Sequence, residues 1–211
     1  MIPFEIKSIL REAEFEQNGG IQINSVSWIN PDTLRLTLYI DTGSPEQDTL
    51  VWTIDCLGVR RERIELYWTD DIHLETDHPL LWPFILDQAT LYFTDLDTTH
   101  ATILGQLYLA QQSLTRGFFP LDRFLNDYFL RDNSEPMTHG QLAEGPMPVL
   151  ETFRDVLIQH GAKTNIVNRR RPQRWTGSVY ESESSSLEIL LMGDSFVVAE
   201  GFWWEAVHET H

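Results

Sequence analysis

The chain has 211 residues and a formal net charge of −17, with 32 acidic against 15 basic side chains. Its apolar content of 42%, with seven Trp and eleven Phe, excludes a largely disordered chain, and its length fits one large domain or two small ones. The single cysteine, Cys56, excludes an internal disulfide, and no stretch approaches the roughly 18 apolar residues of a membrane-spanning helix. These features predict a soluble, cytoplasmic protein with no membrane association.

The first third of the chain is predicted to form a short helix followed by strands. Ile6, Ile9 and Leu10 recur at helical spacing near the start. From residue 21 the spacing of apolar side chains changes to two, which is typical of strands with one buried face. The strands follow one another without intervening helices, which favours an antiparallel meander. They are predicted at 21–28, 33–40, 50–59 and 63–68.

Helical spacing returns in the middle of the chain, after a predicted strand at 89–94. Apolar stripes predict helices near 103–108, 121–129 and 148–160. Between the last two, residues 131–148 are rich in Gly, Pro and polar side chains, which predicts a loop and the candidate internal boundary.

The C-terminal segment is predicted to be a β-hairpin. Its arms are 187–192 and 196–207, and Gly193-Asp194 forms the tip. Taken with the preceding elements, this predicts a single α+β domain over residues 1–211. The expected architecture is an N-terminal antiparallel sheet, central helices packed on it, and the C-terminal hairpin. Four large side chains are expected in the core: Trp52, Ile54, Phe124 and Phe153.

In the segment from Asp70 to His78, a strand would place Asp71, His73, Glu75 and Asp77 on one face and Ile72 and Leu74 on the other. On a strand, neighbours on one face lie about 6.5–7 Å apart. A zinc ion with bonds of about 2.1 Å therefore reaches two of them readily and three or four seldom. The pattern favours a solvated strand face, and a metal-dependent hydrolase built on Asp71, His73 and His78 is the alternative interpretation.

Nucleophilic chemistry has little support in the sequence. Cys56 shares its strand face with Trp52 and Ile54, which predicts a buried structural thiol. There is no Gly-x-Ser-x-Gly motif and no glycine-rich phosphate loop. His208 and His211 lie in a polar tail at the chain end, where fraying is common. No catalytic residue, metal site or cofactor is predicted.

Basic side chains are concentrated in one short segment. Residues 163–174 contain five of them and no acid. The candidate partner-binding residues of this segment are Arg169, Arg170, Arg171, Arg174 and Trp175. Nucleic acid is disfavoured as a ligand, because the chain as a whole is strongly acidic. The alternatives are ion pairs with the chain's own acids, such as Glu181 and Glu183, and contact with a protein partner.

Trp203 and Trp204 are the remaining candidate partner-binding residues. Adjacent residues of a strand face opposite sides, so one of this pair faces a second packed layer or solvent. An exposed tryptophan there is expected to anchor a partner. A small-ligand or sugar binder that uses exposed tryptophans is another alternative, and it requires a concave pocket.

The leading functional hypothesis is a non-catalytic interaction protein. A chain of −17 attracts basic proteins, and inhibitor or immunity-type proteins use such fields to find basic nucleases. The predicted partner is therefore a basic protein.

Overall fold

The computed structural model describes residues 1–45, 49–131, 138–175, 177–182 and 186–207, with only the backbone at Glu14. It confirms the α+β class, with several antiparallel sheets and few helices. No helix among these residues is long and apolar enough to span a membrane.

The helices and strands are numbered separately in chain order. The helices are α1 (Phe4–Ile9), α2 (Ala13–Asn18), α3 (Trp82–Ile85), α4 (His100–Thr115), α5 (Asp127–Leu130) and α6 (Met147–Gln159), with 3-10 turns at Pro79–Leu81 and Leu121–Arg123. The first strands are β1 (Gly20–Asn30), β2 (Thr33–Asp41), β3 (Leu50–Leu57), β4 (Arg61–Arg63), β5 (Trp68–Thr69), β6 (His73–Glu75) and β7 (Gln88–Thr94). The remaining strands are β8 (His139–Pro146), β9 (Lys163–Arg170), β10 (Gln173–Trp175), β11 (Tyr180–Ser182), β12 (Glu188–Met192), β13 (Ser195–Ala199) and β14 (Gly201–Val207).

The chain divides into two compact units. The first combines Met1–Leu81 with Ser184–His211, and the second is Trp82–Glu183. The candidate boundary at 131–148 lies inside the second unit. The single domain expected over residues 1–211 stays a prediction.

The first unit contains two antiparallel sheets that share one apolar core. The larger has the strand order β14-β3-β2-β1-β5 and the smaller has the order β4-β13-β12-β6. In β2, buried apolar side chains alternate with half-buried ones, as the period of two predicts. The buried face of β2 carries Leu34, Leu36, Leu38 and Ile40. They belong to one cluster with the side chains that the smaller sheet contributes, which are Leu190, Met192, Val197 and Ala199.

The second arm of the predicted C-terminal hairpin changes sheet. β12 and β13 pair antiparallel across the Gly193-Asp194 tip, which confirms the hairpin. After β13 the chain passes Glu200 and continues as β14, which pairs with β3 of the larger sheet. Arg60 Nη2 donates to Glu200 Oε1 at 2.5 Å at this crossing. Gly58 has a φ of +63° here, and a Cβ at this position would lie 2.7 Å from the Glu200 carboxyl carbon.

The second unit contains the central helices and a sheet of its own. This sheet is not the N-terminal sheet on which the helices were predicted to pack. Its three-stranded sheet has the order β8-β7-β9. α6 packs on all three of these strands and on α4. Its buried face carries Val149, Leu150, Phe153 and Leu157, and Gly161 ends it with a φ of +81°. The expectation that the central helices pack on the N-terminal sheet was wrong for α6, because its apolar stripe is covered by β7, β8 and β9.

The helix predicted over 121–129 was wrong in its length. It divides into the 3-10 turn Leu121–Arg123 and the four-residue helix α5. Asn126 separates them, because its side-chain Oδ1 accepts from the Tyr128 N–H at 2.8 Å and caps α5. The Asn126 N–H itself donates to the Leu142 carbonyl at 2.8 Å, which draws the backbone toward β8. Long-range pairing therefore overrides the local apolar stripe.

Two further predictions of irregular or extended structure were wrong. Within the predicted loop 131–148, residues 139–146 form β8, which pairs with β7 from Gln88↔Pro146 to Thr94↔His139. A polar, glycine-containing sequence has weak strand preference, and cross-strand pairing supplies the stabilisation instead. Residues 63–68, predicted to form one strand, contain only the end of β4 at Arg63 and the start of β5 at Trp68.

We expect Phe153→Ala to destabilise the second unit by about 3–5 kcal/mol, because Phe153 is fully buried between α6 and its sheet. Urea unfolding followed by circular dichroism measures the change. Tyr108→Ala, which truncates an aromatic side chain that is 49% exposed on α4, is expected to cost less than about 0.5 kcal/mol. Equal losses in the two variants would contradict the packing described for α6.

Candidate protein-interaction surface

The solvent-facing side of the larger sheet brings Trp203 beside an ion pair. Strand register places Trp203 of β14 opposite Asp55 of β3, and Asp55 opposite Arg35 of β2. Glu205 lies two residues along β14 and is opposite Thr53. Since residues two apart on a strand share a face, all five side chains lie on one side of the sheet. We call this set the Trp203 surface.

Trp203 and Trp204 have different environments, as expected for neighbours on a strand. Trp203 is 68% exposed. Trp204 is half-buried and packs against the core of the first unit. The prediction that one ring of this pair faces either a second packed layer or solvent is confirmed, since Trp203 is the exposed ring.

The ion pair on this surface is bidentate. Arg35 Nε donates to Asp55 Oδ1 at 2.6 Å, and Arg35 Nη2 donates to Asp55 Oδ2 at 2.7 Å. The two hydrogen bonds from Arg35 lower the pKa of Asp55, its burial opposes that shift, and the charge of Arg35 adds to it. The hydrogen bonds to Asp55 raise the pKa of Arg35, the charge of Asp55 adds to that shift, and the charge of Glu205 adds a smaller amount. The guanidinium is thus fixed on Asp55, and Glu205 lies on the same face of the sheet.

This arrangement favours a cationic ligand. The face of an indole ring attracts guanidinium and ammonium groups, with contributions of about 0.5–2 kcal/mol. Trp203 has Asp55 directly across the strand pair, where Cβ atoms lie about 4.5–5.5 Å apart. Glu205 follows on the same face. A basic side chain that stacks on Trp203 therefore lies over the sheet face that carries these two carboxylates.

The basic segment at 169–175 lies in the second unit, separate from the unit that holds Trp203 and Trp204. Arg169 Nε donates to Asp87 Oδ2 at 2.6 Å, and Arg170 Nη2 donates to Glu144 Oε1 at 2.6 Å. These two arginines therefore form ion pairs within the chain, although with different acids from those predicted.

The rest of the segment forms a small β-ribbon. Arg174 of β10 lies opposite Glu181 of β11 and is half-buried. Trp175 lies opposite Tyr180, and the two ring centroids are 5.0 Å apart. Arg171 is exposed. Glu183, the second acid expected to pair here, lies outside the described residues.

The residues of the alternative metal site do not converge. His73 Nε2 lies 3.4 Å from Asp71 Oδ2 on the surface, whereas His78 is buried and its Nδ1 accepts from the Leu80 N–H at 3.2 Å. Asp71 Oδ1 accepts from the Gly193 N–H at 3.1 Å, which ties it to the hairpin tip. Within the ranges that the structure describes, no three His, Cys, Asp or Glu side chains are grouped closely enough for a metal ion.

Two other sequence predictions concern the histidine tail and a pocket for a sugar. The tail with His208 and His211 lies outside the described residues. Three clefts within the described residues are lined by side chains other than Trp203 and Trp204. These clefts give no support to the sugar-binding alternative for that pair.

Sequence reasoning missed Arg35, Asp55 and Glu205. The period of two places Trp203 and Glu205 on one face, and that signal was available. The pairing of β14 with β3 was not available, because it joins residues about 150 positions apart and depends on the change of sheet at Glu200.

Cys56 is fully buried, which confirms the predicted structural thiol. Burial raises the pKa of the thiol to about 12, and the charge of Asp55 adds to that shift. We expect no reaction with a thiol reagent in the native protein at pH 8, where the thiolate is scarce, and one reactive thiol per chain in urea. Rapid native labelling, measured by absorbance of the released chromophore, would contradict this placement.

Stability is expected to depend on pH through Asp55. Its pKa is lowered in the folded protein, so its ion pair stabilises fully above the usual aspartate pKa of about 3.9 and is lost as the pH falls through the lowered value. The difference in urea midpoint between the native protein and Asp55→Asn should therefore shrink from pH 7 to pH 3 and below. Thr53→Ala, an uncharged change on the same face, should show a constant difference. A constant difference for Asp55→Asn would refute the assignment.

No known protein family, curated protein or solved structure matches the chain in sequence or fold comparisons. What this protein does must therefore be inferred from the chemistry of its own residues.

Proposed function

We propose that the protein is a non-catalytic binding protein that recognises a basic protein partner, as inhibitor and immunity-type proteins do. The Trp203 surface is the centre of contact. The observation that carries the proposal is the 68% exposed indole of Trp203, which shares a sheet face with the carboxylates of Asp55 and Glu205.

The contact centre is preorganised. Trp203 belongs to β14, which pairs with β3 along its whole length from Gly201↔Leu57 to Val207↔Val51. Asp55 is fixed by two hydrogen bonds from Arg35. A ligand that binds groups already held in place loses less conformational entropy on association than one that must order them. Tryptophan is also among the residues that most often dominate binding energy at protein interfaces.

The net charge supports the choice of partner. A field from −17 charges accelerates association with a cationic protein and repels nucleic acid until close contact. The Trp203 surface also has an excess of negative charge, with two carboxylates and one guanidinium. A basic partner can therefore be attracted at long range and then bound by the indole and the carboxylates.

The basic segment has a smaller part in the proposal. Arg169 and Arg170 are paired with Asp87 and Glu144, so their guanidinium groups are already partly neutralised. Each such exposed pair contributes about 0–1 kcal/mol to stability. In this proposal all five residues of the segment, Arg169, Arg170, Arg171, Arg174 and Trp175, are therefore secondary candidates for partner binding.

A nona-arginine peptide tests the site with a simple cationic probe. We expect its titration to shift the indole N–H resonance of Trp203, which is assigned by its loss in Trp203→Phe. Affinity should fall strongly between about 0.01 M and 1 M salt, where the Debye length shortens from about 30 Å to 3 Å. Trp203→Ala should weaken binding by about 3- to 30-fold, the equivalent of one cation–π contact.

Matched variants separate the site from the overall charge. Glu205→Gln should weaken peptide binding more than Asp155→Asn, which removes one negative charge from α6 in the other unit. Trp175→Ala should leave the affinity unchanged if its segment is secondary. Equal effects of the two acid variants, an unmoved Trp203 resonance, or salt-independent affinity would overturn the proposal.

A further inference from the structure

One edge of the larger sheet lacks a covering strand. β1 pairs with β2 along its length, but on its other side β5 pairs only with Ile21 and Gln22. Among the described residues, no strand pairs with the outer edge of residues 24–30. We call residues 24–30 the free edge of β1. Exposed strand edges present backbone groups that can pair with another chain.

The free edge lacks two of the usual features that prevent pairing, which are charged side chains and proline. Its seven residues, Asn24-Ser25-Val26-Ser27-Trp28-Ile29-Asn30, contain neither a charged side chain nor a proline. Natural edge strands are usually blunted by charges, prolines or bulges. Here register shifts occur only toward the two ends, between Ile23 and Ser25 and between Trp28 and Asn30. The four residues Ser25 to Trp28 are regular.

Two apolar side chains of the free edge lie on the core side of the sheet without being covered. Val26 is opposite Leu36 and Trp28 is opposite Leu34, and both leucines are fully buried. Residues opposite each other on antiparallel strands share a face of the sheet. Val26 is nevertheless 39% exposed and Trp28 is 51% exposed. The apolar core therefore continues to the sheet edge and ends there in solvent.

We propose that two copies of the chain pair antiparallel through this free edge, with Ser27 on the two-fold axis. This register places Val26 of each copy opposite Trp28 of the other, on the core side of one continuous sheet. Asn24 then lies opposite Asn30. The interface is isologous, as in most two-fold dimers.

Charge argues for a second copy over the basic partner at this edge. In a chain of −17, two copies repel one another, and like charges opposite each other on strands destabilise pairing. The free edge is uncharged along its whole length, so self-pairing places no carboxylates opposite each other. A basic partner would find no carboxylate on these seven residues to bind.

The available length also fits this register. β5 occupies the edge at Ile21 and Gln22, and the chain turns at Pro31 and Asp32 into β2. Between these limits lie Ile23 and the seven residues of the free edge. A ladder centred on Ser27 has its regular part at residues 26–28 and extends over neither β5 nor the turn.

Ser27→Cys tests the register directly. Directly opposed residues have Cβ atoms about 4.5–5.5 Å apart, close to the range that a disulfide spans. Mild oxidation should link most of the protein into dimers on a non-reducing gel. Cys56 is buried and should not contribute. Ser113→Cys, which places an exposed thiol on α4 in the other unit, should remain mostly monomeric.

Sedimentation equilibrium of the native protein should give twice the chain mass of 24.5 kDa. Val26→Lys places like charges beside the axis and should shift the protein toward 24.5 kDa. Trp203→Lys, on the strand at the opposite edge of the sheet, should remain dimeric.

High salt should strengthen the dimer, because it screens repulsion between the copies, whereas it should weaken binding of the arginine peptide. The proposed dimer and the proposed peptide site can thus be refuted independently of each other.

A native mass of 24.5 kDa across the whole concentration series would overturn the proposal. So would a dimer that persists while Ser27→Cys links no better than Ser113→Cys, because the contact would then lie elsewhere. Circular dichroism should show whether Val26→Lys is folded, and the conservative Ser27→Cys change tests the register in any case.

Discussion

Burial of one face of β2 and β3 is the constraint on which the first unit depends. Every second side chain of these strands is apolar and buried, from Leu34 to Ile40 and from Trp52 to Cys56. Because the side-chain period is two, a slip of one residue would move Asp55 into the core and the apolar set into water. The register is therefore strongly specified. This register also fixes the pairing of Arg35 with Asp55 and the position of Asp55 opposite Trp203.

The change of sheet at Glu200 extends this constraint to the C-terminal residues. β13 contributes Val197 and Ala199 to the shared core from the smaller sheet. One residue later β14 joins the larger sheet, with half-buried and exposed side chains in alternation. Trp204 thus faces the core and Trp203 faces solvent. An apolar run that reads as one interior strand is in fact two strands of different sheets, which explains why its second half contains an exposed tryptophan.

Elements were predicted correctly from the sequence where the spacing of apolar side chains agrees with the long-range pairing of the chain. Predictions were wrong where long-range pairing overrides that spacing. The strands β2 and β3, the hairpin β12–β13, the helix α6 with its Gly161 end and the buried Phe153 all follow from local spacing. Residues 121–129 have a helical stripe, but the Asn126 N–H pairs with Leu142 and interrupts it. Of the candidate site, the exposure of one tryptophan was predictable. Its carboxylate neighbours depend on the strand order, which local spacing does not determine.

The net negative charge of the chain is not distributed evenly over its surface. Most basic side chains with described contacts form ion pairs with acids of the same chain. Arg169 pairs with Asp87, and Lys163 pairs with Asp95 at 2.8 Å. Ion pairing therefore accounts for much of the basic segment that distinguishes the sequence. The edge of β1 is unusual for the opposite reason, because seven consecutive exposed residues carry no charge in a chain of −17. A charged face selects a partner of opposite charge, whereas an uncharged edge is where copies of an acidic chain can approach one another.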